Sequence, residues 1–182
     1  MKVNIKPSAY IFFVLLLFLV PFPWLLGWGI AVAFHELCHY IAVRFCGGEV
    51  HSLELEPTGA NMQCSTMTTG KALFCVLFGP IGGLLPIFAD SVFPQLALCS
   101  FLLSAYNLLP ILPLDGGRAL NILLGDGKLF SVVQWTVLIF LTIILVFIAY
   151  WLQFILLPLI MICSLWLRSG KIPCKEFVYK LQ

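Results

Sequence analysis

Charge is what this sequence has least of. Ten Lys and Arg and eight Asp and Glu are spread over 182 residues, 10% of the chain, where soluble domains carry about 25%. That excludes a domain with a solvated surface on all sides. The net charge of +2, with no basic stripe, also excludes nucleic acid as a partner. Cysteine gives no disulfide framework, because the seven are odd in number, unpaired in spacing and set mostly in apolar segments, where cysteine acts as a small hydrophobe. Internal repeats, low-complexity runs and linkers are missing too. What fills the chain is apolar: 62% hydrophobic residues with sixteen Phe. This is the composition of an integral membrane protein in a lipid bilayer. Each crossing takes about 20 residues, so the chain reads as one membrane-embedded domain over 1–182, with no room for a separate soluble domain.

Walking the sequence gives an all-α polytopic membrane protein of about six transmembrane helices. Lys2 and Lys6 precede an apolar run as in a signal peptide, but no small-x-small cleavage site follows, so the run reads as retained helix. Pro7 to Leu26 is apolar and punctuated by Pro21 and Pro23, which predicts a first helix of roughly 14 to 18 residues and a tight turn, with the second helix over about Trp24 to Cys46, ending at Gly47 and Gly48. Residues 47–70 change period: Leu53 and Leu55 alternate with Ser52, Glu54 and Glu56, and Pro57 with Gly59 supplies a turn, which predicts a short β-hairpin. A third helix is expected from Lys71 to about Ala89 and a fourth from about Gln95 to Leu109, followed by a broken loop over 110–128. The 39 residues from Leu129 to Leu167, almost all apolar, are too long for one crossing and divide near Tyr150 to Gln153.

Six crossings put every Lys and Arg on one side and leave Asp90 as the charge on the other. The positive-inside rule then predicts cytosolic termini, a cytosolic hairpin and a cytosolic loop around Asp115. Arg118 reads there as a side chain reaching for the headgroups.

Against this apolar background, "FHELCH" is the exception. Ionisable side chains at membrane depth are costly and mark function. His35 and His39, four apart on a helix, share one face and can turn ring nitrogens to one ion, and Glu36 beside them can serve as general base toward a water. HExxH is the zinc metalloprotease spacing, but catalytic zinc takes three protein ligands. Of the two Asp residues near the ends of the other spans, Asp90 falls on the opposite membrane face, which leaves Asp115 in "LDGG" as the third ligand. The alternation in "SLELE" offers an edge at Val50, Leu53 and Leu55 that could pair with an unwound substrate strand. His51 reads as solvated, and Cys38, on the flank of the ligand face, as a packing residue.

"HELCH", "FGPIGG" and "NLLPILPLDGGR", in that order, resemble the site-2 protease family of intramembrane zinc metalloproteases over roughly residues 8–125. The resemblance implies zinc held by His35, His39 and Asp115, Glu36 as general base, and Asn107 near the substrate or its oxyanion. Two departures stand out: Cys38 where relatives often have Gly, and Gly83 where an Asn often follows Gly-Pro. With no stretch long enough for a PDZ-like insertion or a nucleotide-sensing domain, the chain is most similar to the minimal sporulation-factor type. That implies a multi-pass protein of a bacterial cell membrane, acting in regulated intramembrane proteolysis on a single-span or membrane-associated substrate. It also leaves room for a regulatory membrane partner. Two rival readings are a catalytically inactive zinc-binding scaffold and a metal transporter. The transporter predicts polar residues continuing across the membrane, and the outer halves of the spans are almost purely apolar.

Overall fold

The computed structural model describes residues 2–5, 14, 16–56, 59–65, 67–125 and 127–152. They fall into two compact units, one running through Asn107 and the other starting at Leu108.

The first unit is built on helix α1, Phe22–Phe45, whose 24 residues extend about 36 Å at 1.5 Å each. Pro21 and Pro23 sit at its start, where a missing N–H costs nothing. It ends where Gly47 takes φ of +78°, a conformation that side chains with a Cβ resist. It starts two residues ahead of the Trp24 expected for the second span. Residues 7–13 and 15 of the first span lie outside the described residues.

After the turn, the chain forms β2 (Val50–Glu56) and β3 (Gly59–Cys64), antiparallel from Glu56↔Gly59 to Val50↔Cys64. The predicted hairpin is therefore present. Its edge is not free. Strand β1, Lys2–Ile5, lies parallel to β2 with Lys2 opposite Ser52 and Ile5 opposite Leu55, giving the order β1-β2-β3. Val50, Leu53 and Leu55 thus sit in the central strand, and the sequence-based picture of an open edge there is corrected.

Helix α2, Thr69–Gly82, then tightens at Gly82 and Gly83 into a 3-10 turn at Leu85–Ala89 with Pro86 as its second residue. Helix α3 covers Pro94–Asn107, and α1 packs against both α2 and α3. Small residues make these contacts: Ala31, Ala42, Ala72, Cys75, Ala97 and Ser100 are buried, while Phe18, Phe45, Phe88 and Val92 point outward. Helices in lipid pack in this way, because tails solvate large apolar side chains and close backbone approach supplies the attraction.

In the second unit, the expected loop over 110–128 contains a ten-residue helix, α4, Asp115–Leu124. It follows a cis Leu112-Pro113 bond. Gly116 and Gly117 occupy the first turn of α4, where a Cβ on Gly116 would overlap the Leu108 carbonyl and one on Gly117 the Ile111 carbonyl. Helix α5, Lys128–Leu152, completes the unit. Among the described residues three helices are long and apolar enough to cross a membrane: Phe22–Phe45, Thr69–Ala89 and Lys128–Phe147. The expected last span, after residue 152, falls outside them.

Candidate metal centre

His35 and His39 lie one helical turn apart on α1 with their rings edge to face, centroids 4.8 Å apart. Their Nε2 atoms are separated by 3.2 Å. Two nitrogens held 2.0–2.1 Å from one tetrahedral zinc stand about 3.3 Å apart, so the pair already has the spacing that one ion requires.

The orientation of His39 follows from a backbone group. Its Nδ1–H donates to the Cys75 carbonyl of α2 at 2.8 Å. A carbonyl only accepts, so Nδ1 carries the hydrogen and Nε2 of the neutral ring presents its lone pair toward His35. Such a bond on the far nitrogen is the usual support of a metal-bound histidine. The ring can lie this close to α2 because residue 79 has no side chain; a Cβ there would overlap His39. His35 itself is 4% exposed. Glu36, next to it on α1, is half-buried. The donor set fits zinc: two imidazoles, one fixed in tautomer, with nitrogens at ligand spacing and a carboxylate alongside.

Cys38, the departure inside the motif, points elsewhere. A Cβ on Gly82 would meet its Sγ at 2.7 Å, so the thiol fills the α1–α2 seam as a packing residue. His51 on β2 is exposed, and Asn107 donates its amide back to the Leu103 carbonyl at 3.0 Å.

Asp115 belongs to the second unit. It opens α4, where the helix dipole favours a carboxylate, and is 5% exposed. Arg118, expected to reach outward, turns back instead and places Nη1 3.8 Å from Asp115 Oδ1.

No curated relative matches the chain. The model of peptidase family M50 matches residues 86–149, a stretch holding Asn107, Asp115 and Arg118 but not the histidine pair. The structure superposes on the "Site-2 Protease from Methanocaldococcus jannaschii" with a TM-score of 0.64 at 20% identity, covering 94% of this chain and 92% of that one. The fold is that of a site-2 protease. The family match, taken with this fold and this histidine pair, indicates a metalloprotease.

Sequence reasoning found the motif and missed what supports it. The Cys75 carbonyl is a backbone group and leaves no mark in residue type. Gly79 stood inside "FGPIGG", but only a third dimension shows that the space it leaves belongs to His39.

Proposed function

We propose that the protein is an intramembrane zinc metalloprotease that hydrolyses a peptide bond in or near a transmembrane segment of a membrane-protein substrate. The observation that carries this reading is the 3.2 Å separation of the His35 and His39 nitrogens, with His39 locked by the Cys75 carbonyl. In this reading His35 and His39 hold the zinc and Asp115 is its third ligand.

Zinc, when bound, supplies Lewis acidity and lowers the pKa of water toward neutrality. The protein's own residues do the rest. Glu36 takes the proton of the attacking water and returns it to the leaving amine, a role suited to a half-buried carboxylate one residue from a ligand. The Cys75 carbonyl keeps the His39 proton on Nδ1, so Nε2 stays available as a donor. Asn107 stands in this reading near the substrate carbonyl.

The unwound substrate needs new backbone partners at membrane depth. Val50, Leu53 and Leu55 offer them on β2, with the substrate strand taking the place that β1 occupies. Proline at both Val3 and Ile5, which weakens β1 pairing, should therefore raise cleavage of a single-span substrate severalfold. Unchanged cleavage in the folded variant would tell against strand exchange.

In the cell this reading makes a multi-pass bacterial membrane protein with cytosolic termini and hairpin, acting in regulated proteolysis alongside a membrane regulator. The direct test is reconstitution. In proteoliposomes the protein should cleave a single-span model substrate, stop on chelation and resume with zinc. Asp115→Asn should weaken zinc binding by more than the roughly 10–100-fold that loss of an outer-shell partner costs. Zinc-loaded wild type that cleaves no membrane substrate would favour the scaffold reading, and unchanged affinity in Asp115→Asn would remove that ligand.

A further inference from the structure

Two serines on α3, Ser100 and Ser104, are each 1% exposed, and neither hydroxyl makes a hydrogen bond among the described residues. A buried hydroxyl without a partner forfeits its bonds to water and gains none in return. Polar side chains elsewhere in these helices avoid that cost by bonding to the carbonyl four residues back, as Thr142 does to Leu138 at 2.7 Å and Asn107 to Leu103 at 3.0 Å. Ser104 does not turn back on its own helix in this way.

Its neighbours explain where it turns. At one end of the α1–α3 contact, a Cβ on Gly27 would stand 3.0 Å from the Leu96 nitrogen, so the two backbones nearly touch there. Eight residues further along each helix, a rise of about 12 Å, come His35 and Ser104. The register is maintained: a Cβ on Gly83 would stand 3.0 Å from Ser104 Oγ and 3.3 Å from His35 Nδ1. The hydroxyl and the far nitrogen of the ligand histidine therefore face the same small corner, left open because residue 83 has no side chain. Two atoms this near one point are at most about 6 Å apart, within the span of one bridging water.

We propose that Ser104 is a positioning residue for His35, its hydroxyl oxygen accepting the Nδ1 proton, directly or through one water, so that Nε2 presents its lone pair to the metal. Ser104 then does for His35 what the Cys75 carbonyl does for His39. The proposal rests on the metal-site reading above. It names a group outside the HExxH motif, on a different helix, that sets a ligand's tautomer.

The test compares Ser104→Ala with Ser100→Ala in the full chain purified in detergent. Each variant removes one buried hydroxyl without a partner from the same helix face, so a purely structural role predicts the same result for both. Zinc affinity, measured by competition with a chromophoric chelator, should fall about 10–100-fold for Ser104→Ala and stay unchanged for Ser100→Ala. In the zinc-loaded protein, the His35 Nδ1 proton should exchange slowly with water in wild type and Ser100→Ala, and faster in Ser104→Ala. Ser104→Cys, whose sulfur is a weak acceptor, should fall between. Equal affinity and equal exchange of the His35 Nδ1 proton in Ser104→Ala and wild type would overturn the inference, as would an equal loss in Ser100→Ala. Wild type that binds zinc while Ser104→Ala matches it overturns this inference alone, whereas wild type that takes up no zinc overturns the metal-site reading with it.

Discussion

Glu36→Gln should all but abolish cleavage while leaving zinc in place. Glutamine matches glutamate in size, so the packing around α1 is preserved, but an amide cannot take a proton from water or pass one to a leaving amine. Positioned acid–base groups contribute about 10²–10⁴ in rate, which corresponds to about 3–5 kcal/mol of barrier at 1.36 kcal/mol per tenfold. The metal should be indifferent to the change. Its ligand spacing is set by the two imidazoles, 3.2 Å apart at Nε2, and by the Cys75 carbonyl behind His39. Single-turnover cleavage of a single-span substrate, measured beside zinc content on the same preparation, separates the two effects. Cleavage by Glu36→Gln within a few fold of wild type would remove Glu36 from the chemistry. Loss of zinc along with activity would make it a ligand rather than a base.

How much of this was legible in the chain depends on where each signal resides. "HELCH" could be read directly because both histidines and the base lie on one helix, and a helix converts sequence spacing into spatial proximity without further information. The hairpin was legible for the same reason: Leu53 and Leu55 alternate with polar neighbours, and the alternation survives in the register with β3. Strand β1 was not, because four residues give too short a pattern and its parallel pairing with β2 joins residues fifty apart in sequence. Helix α4 was missed for a different reason. Gly116 and Gly117 argue against a helix by propensity, but in a first turn pressed against the Leu108 and Ile111 carbonyls any larger residue would collide. Tertiary crowding overrode propensity there. Ser104 and the Cys75 carbonyl were beyond sequence reasoning altogether, since each acquires its meaning only from a histidine on another helix.

Gly79→Ala should cost the protein its metal, and the reason can be isolated by a partner mutation. The added Cβ would overlap the His39 ring. A flexible side chain would swing aside, but this ring is tethered by its Nδ1–H to Cys75 on the same helix that carries the new methyl group. Either the ring leaves, giving up both that bond and its ligand position, or α1 and α2 move apart. Overpacking of a buried contact costs about 1–3 kcal/mol, offset by up to about 1 kcal/mol because alanine is the better helix former. The thermal stability of the metal-free protein should therefore fall only modestly while zinc affinity falls at least as far as in Ser104→Ala. Gly82→Ala serves as the control: its Cβ would press on Cys38 Sγ, at 2.7 Å, in the same seam but on no ligand. It should lose comparable stability and keep its zinc. A double-mutant cycle completes the argument, since with His39→Ala already in place the methyl at 79 meets no ring and should no longer destabilise. If Gly79→Ala binds zinc like wild type, or if its stability cost persists without the His39 ring, the close packing of residue 79 against the ligand histidine is not what holds the metal site in shape.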